Sequence, residues 1–269
     1  MIRFRTIEQS DPQFETAALR YLTVKSPSLK GRVDVSVFIP KQAIDQENIP
    51  VIVLLHGVYG SHWAWTMKGG AHLTLEKLIA QGEVTPFILV MPSDGLWGDG
   101  IGYVPHAYQN VEAWIGNELP QLIRQTIGEV SELSKFYISG LSMGGYGAFR
   151  VGVKYASIYH GISSHSSITD IHQMEKFVEE DWTFWDKLNE EGAIAKLMSE
   201  CASNLPPIRF DCGSDDLLFQ ANQLLHQDLI EAGIIHEYEE LEGGHNWMYW
   251  QKNVKRTFRF FHHIHQGVK

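Results

Sequence analysis

The chain has 269 residues, 44% of them hydrophobic and 20% charged, an ordinary globular composition that excludes a disordered or fibrous protein. Its net charge of −10 at pH 7 opposes binding to nucleic acid or to an anionic membrane. Two cysteines, Cys201 and Cys212, are too few for a disulfide framework or a zinc knuckle, and no apolar run approaches the length of about 18 residues that a spanning helix needs.

The first residues include two arginines but no apolar signal core or cleavage site after them, which points to a cytoplasmic protein. Residues 18–26 and 31–40 alternate apolar with polar and predict two antiparallel strands forming an edge hairpin. Residues 49–55 are continuously apolar, as in a strand covered on both faces, and end in His56-Gly57-Val58-Tyr59-Gly60. A helix over 71–81 and a buried strand over 87–91, stopped by Pro92, follow. Residues 93–106 make a long glycine-rich loop, a kind that is usually functional. A helix is expected over 107–127, kinked at Pro120. After a strand over 136–141 and a helix from Met143, residues 159–163 read as a strand and 164–207 as a mostly helical excursion. A strand over 208–212, a helix over 217–232, a strand over 234–241 and a helix from His245 complete the chain. Strands alternating with helices predict one α/β domain, a mostly parallel doubly wound sheet preceded by the antiparallel hairpin. Sites in such sheets form at the carboxyl ends of the strands.

The joint between the strand and the helix at 136–155 reads Gly140-Leu-Ser142-Met-Gly144. A serine there must turn the backbone sharply, so its neighbours two positions away must be small, which is the nucleophile-elbow pattern G-x-S-x-G. A serine hydroxyl is a poor nucleophile until a base takes its proton and a carboxylate holds that base. With this elbow the chain order is serine, acid, histidine. His245, in Glu242-Gly-Gly-His-Asn after the last strand, fits the base. Asp215 and Asp216 compete for the acid; an acid three residues after Gly213 resembles the common acid loop of such folds, pointing to Asp216 and leaving Asp215 as a candidate N-cap. Two N–H groups should face the developing oxyanion: that of Met143, next after the nucleophile, and that of Val58, in the His56-Gly57 loop. His56 itself reads as structural.

His56-Gly57, Gly140-Leu-Ser-Met-Gly-Gly-Tyr-Gly-Ala, Cys212-Gly-Ser-Asp-Asp and Gly243-Gly-His245, in this order, resemble the α/β-hydrolase superfamily. More narrowly they resemble the esterase D-like family of S-formylglutathione hydrolases, tributyrin, feruloyl and acetyl-xylan esterases, and mycolyltransferases. The resemblance runs from about Val24 to His263 and implies an α/β-hydrolase fold with Ser142, Asp216 and His245 as the triad. The His56 loop and the loop over 93–106 depart from the formylglutathione branch, so short-chain acyl and carbohydrate or phenolic esters are the expected substrates, with acyl transfer or an S-formylglutathione-type thioesterase on the same triad as the alternative and a non-catalytic binding module as the reading from another class.

Such a triad needs no metal or cofactor, and the expected partner is a small-molecule ester. Gly98-x-Gly100-x-Gly102 lacks the spacing of a nucleotide loop and is expected to wall a pocket. The cluster His262-His263-Ile-His265 has no carboxylate or cysteine beside it and reads as a helix end rather than a metal site. Most of the eight tryptophans should be core, whereas Trp97, Trp182 and Trp185 fall in loops expected above Ser142 and are candidates for the substrate pocket.

Overall fold

The computed structural model describes residues 2, 4–180 and 192–267. Its strands are β1 (Ile7–Gln9), β2 (Leu19–Lys25), β3 (Arg32–Phe38), β4 (Val51–Leu55), β5 (Ile88–Pro92), β6 (Phe136–Leu141), β7 (Tyr159–His165), β8 (Ile208–Gly213) and β9 (Glu237–Leu241). They form one sheet in the order β1-β2-β3-β5-β4-β6-β7-β8-β9, antiparallel from β1 through β3 to β5 and parallel from β5 onward. The expected hairpin of β2 and β3 is present, but not at the edge. Ile7, Glu8 and Gln9 pair with Val24, Thr23 and Leu22 on one side of it, and β3 pairs with β5 on the other.

The apolar run of β4 divides by side-chain alternation. Val51, Val53 and Leu55 enter the core under one sheet face, and Ile52 and Leu54 enter the core under the other. Helices α1 (Ala64–Met67), α2 (Ala71–Ala80) and α8 (Trp247–His265) cover the second face; α3 (Val111–Ala113), α4 (Leu119–Thr126), α5 (Met143–Lys154), α6 (Ile194–Glu200) and α7 (Phe219–Glu231) cover the first. Each such aliphatic side chain removed from water contributes about 1.5–3 kcal/mol before entropy is counted, so a sheet buried on both faces can hold strained turns at its end.

The helix expected over 107–127 starts later and is interrupted. Asn110 caps it by accepting from the Ala113 N–H, and the stretch Trp114–Glu118 between α3 and α4 widens into a π-helical turn. Pro120 lies in the first turn of α4, where its missing N–H costs little. The Leu119 N–H bonds back to Trp114, and the Ile115 carbonyl accepts from the Tyr159 hydroxyl at 2.7 Å. The expected helix is thus widened ahead of Pro120. The excursion over 164–207 contains, among the described residues, 3₁₀ turns at Ile171–Lys176 and Ala202–Asn204 and the helix α6.

Candidate active site

β6 ends at Leu141 and α5 begins at Met143, so Ser142 alone makes the turn at the carboxyl end of the central strands. Its φ of 54° and ψ of −120° lie where side chains rarely sit, a strain of about 1–3 kcal/mol. Surrounding bonds impose it. The Ser142 N–H donates to the His165 carbonyl at 2.9 Å, and the Ser142 carbonyl accepts from the N–H groups of Tyr146 and Ile168, each at 3.2 Å. A Cβ at Gly140 would collide with the Gly144 carbonyl, and one at Gly144 would meet the carbonyls of Leu55 and His56. The two small flanking positions are thus needed for close backbone approach.

The structure brings Ser142, Asp216 and His245 together. Nε2 of His245 lies 3.0 Å from Oγ of Ser142, and Nδ1 lies 2.9 and 3.0 Å from the two oxygens of Asp216. A carboxylate only accepts, so Nδ1 carries the hydrogen and Nε2 is left to accept from the serine hydroxyl. Asp216 is buried and its Oδ1 also accepts from the Leu218 N–H at 2.8 Å. That local turn delays α7 until Phe219, where no side chain caps the helix. The expectation that Asp215 is the N-cap is therefore corrected: its side chain is exposed and its N–H donates to the Gly243 carbonyl at 2.9 Å, tying the acid loop to the His245 loop.

Ser142 and His245 open onto a cleft of about 260 Å³. Val58 and Gly57 form one wall, and a Cβ added at Gly57 would lie 3.4 Å from that of Ser142, which shows how closely the loop after β4 approaches the serine. Met143 is the first residue of α5, where an N–H has no carbonyl one helical turn back. The loop over 93–106 backs this wall as expected: Gly100 packs on Val58 and Met143, and the Tyr59 N–H donates to the Asp99 carbonyl. His56 is buried behind it, with Nδ1 2.8 Å from the Gly57 carbonyl and Nε2 3.6 Å from Asp94, a bracing position away from the cleft.

Of the pocket tryptophans expected from the sequence, Trp97 does not line this cleft. Trp97 sits beside His106, ring centroids 5.2 Å apart, and lines a separate hollow with Tyr108, because the glycines after it turn the loop back toward Met143. Trp182 and Trp185 lie outside the described residues. Among the described residues the aromatic walls are Tyr59, Trp63, Phe177, Trp247 and Trp250. Of these Phe177 comes from the excursion, and the Tyr59 hydroxyl donates to its carbonyl across the cleft mouth. Trp247 and Trp250 stand in the first turn of α8, directly after the His245 loop. Their three-residue spacing from one another, next to His245, was the signal available in the sequence.

The family described as "Putative esterase" matches residues 26–261. An acetyl esterase of Caldicellulosiruptor saccharolyticus is 29% identical over 264 residues, covering 91% of this chain and 92% of that protein. Among solved structures, a ferulic acid esterase superposes with a TM-score of 0.81 at 24% identity, over 91% of this chain and 97% of that one. An S-formylglutathione hydrolase from Staphylococcus aureus superposes at 0.75 and 17% identity, over 90% and 98%. No helix among the described residues is long and apolar enough to cross a membrane. With a strained serine turn at the end of a mostly parallel sheet and the family match spanning nearly all of it, the chain belongs to the "Putative esterase" family and is a carboxylic ester hydrolase of the α/β-hydrolase fold.

Proposed function

We propose that the protein is a serine esterase that hydrolyses short-chain acyl esters, or carbohydrate or phenolic esters, through an acyl-enzyme. The observation that carries this reading is the continuous row from Asp216 through His245 to Ser142 at the cleft. Oγ of Ser142 attacks the acyl carbon as its proton passes to Nε2 of His245. The oxyanion is held by the N–H groups of Val58 and Met143. His245 returns the proton to the departing alkoxide, which leaves as the alcohol. Water then attacks the acyl-enzyme with His245 as base, and the carboxylic acid departs. Asp216 keeps the imidazole in one tautomer and stabilises its charged form.

The small cleft and its flat apolar walls suit a short acyl chain or the face of a sugar or phenolic ring, and the acetyl esterase relative supports the short chain. The test is active-site labelling with kinetics. A fluorophosphonate probe should modify Ser142, and Ser142→Ala should lower kcat on p-nitrophenyl acetate by about 10⁶. No label on Ser142 in folded protein, or retention of most activity by the variant, overturns the reading. Chelators should leave the rate unchanged.

A further inference from the structure

Behind Ser142 lies a second carboxylate that these steps do not use. Asp211, near the end of β8, is fully buried: its Oδ1 accepts from the Tyr249 hydroxyl at 2.6 Å, and its Oδ2 lies within ion-pair distance of Nδ1 of His165 at 2.9 Å and Nη1 of Arg209 at 2.6 Å. Nε2 of His165 in turn meets the Thr257 hydroxyl at 2.8 Å, which lies 2.6 Å from that of Ser163. Asp211, His165 and Thr257 follow the same order of carboxylate, imidazole and hydroxyl as the row at the cleft, with an ion-pair contact at the first step, yet all three side chains are wholly buried, so no substrate reaches them.

What the row touches is the support of both reacting residues. The His165 carbonyl accepts from the Ser142 N–H, and the Asp211 carbonyl accepts from the N–H of Ser166. On the other side the Tyr249 ring lies under Gly243, where an added Cβ would be 2.7 Å from Cδ2 of Tyr249 and where φ is +135°. Gly243 is two residues before His245. The charge on Asp211 is secured from outside: Arg209 also bonds Glu239 at 2.6 Å, and Glu239 bonds Arg256 at 2.5 Å near the surface. Burial alone would push the Asp211 carboxyl up, but His165 and Arg209 hold it well below the usual carboxylate range.

We propose that Asp211 and Tyr249 are positioning residues for the esterase reaction: one buried carboxylate, gripping the serine turn through His165 and the His245 loop through the Tyr249 ring, sets the distance between Oγ of Ser142 and Nε2 of His245. This rests on the serine-esterase reading. Because a misplacement of about 1 Å can cost on the order of 100-fold in rate, a small slackening of this tie is visible in kcat. Tyr249→Phe keeps the ring under Gly243 and removes only the hydroxyl.

The expected result for Tyr249→Phe is a fall in kcat of roughly tenfold with KM unchanged, measured well below the melting temperature. Added to His245→Ala, the same substitution should leave the residual rate unchanged within about twofold, since no imidazole is left to misplace. Thr257→Val, which releases His165 on the other arm, should give the same two results and serves if Tyr249→Phe is too unstable to assay. A kcat within about twofold of wild type, or an equal loss with and without His245, overturns the proposal. Failure of the underlying reading is separate and shows as activity surviving Ser142→Ala.

Discussion

Phe177 lies stacked on the imidazole of His245, ring centroids 5.6 Å apart and planes inclined by 30°, while Trp250 meets the same ring edge-on at 5.1 Å. In the proposed mechanism the imidazole accepts a proton from one oxygen and delivers it to another without turning away, and the two flanking rings hold its plane. When His245 becomes charged, the face of Phe177 also offers cation–π attraction, which strengthens only as the transition state forms. Phe177→Ala should therefore lower kcat/KM by about five- to tenfold, and Phe177→Leu, which restores bulk but no ring, should recover only part of it. Steady-state kinetics of the two variants decide this. Equal activity of the Leu variant and wild type would show that Phe177 only fills space.

The two adjacent aspartates should separate cleanly. Asp216 holds Nδ1 of His245 from a buried position, whereas the Asp215 side chain is exposed. Asp216→Asn should cost about 10⁴ in kcat, because an amide can leave the imidazole in the wrong tautomer, and Asp215→Asn should stay within about twofold. The reverse ranking would move the acid to Asp215.

What could be read from the sequence was whatever local pattern dictates. The continuous apolar run of β4 announced a strand covered on both faces, and Gly140 and Gly144 announced the elbow because no side chain fits where backbone meets backbone. β1 is invisible in the sequence: Ile-Glu-Gln is short, mostly polar and outside any periodic run, and only its pairing with β2 makes it a strand. The π turn before Pro120 was hidden because its Ile115 carbonyl is satisfied by Tyr159, distant in sequence. Trp97 was misplaced for a related reason. Loop membership says that a side chain lies near the sheet end, but the direction it faces depends on where Gly100 packs.

The elbow glycines give a test of stability rather than chemistry. A methyl at Gly144 would press on the carbonyls of Leu55 and His56, main-chain atoms of the central strand end that cannot swing aside. Gly144→Ala should destabilise the fold by about 1–3 kcal/mol or more, as overpacking against backbone does. Gly128 has no atom within reach of an added Cβ, so Gly128→Ala should stay within about 0.5 kcal/mol. Urea unfolding of both variants measures the contrast; equal midpoints would mean that the serine turn tolerates a shift of the strand end.

Stability should also fall on mild acidification, and histidines set the sign. Burial holds the imidazoles of His62, His72, His106, His226, His262 and His265 below their ordinary pKa, in each case as the largest influence. The folded chain therefore binds protons less readily at these rings than the unfolded chain does. Above the unfolded value of about 6.5 all are neutral in both states and their stabilisation is complete; as the pH drops through that value the unfolded chain takes protons first, and stability is lost. Asp211, whose pKa is also depressed, keeps its contribution down to the ordinary carboxylate value of about 4 and loses it only below. Urea midpoints should decline from pH 7.5 to 5 and decline further below pH 4. His62 is half-buried with Nδ1 2.8 Å from the Ser36 hydroxyl, so His62→Gln should flatten the upper part of this decline while leaving the lower part in place. A midpoint that rises between pH 7 and 5 would show that proton uptake by the folded state dominates, contrary to the burial of these rings.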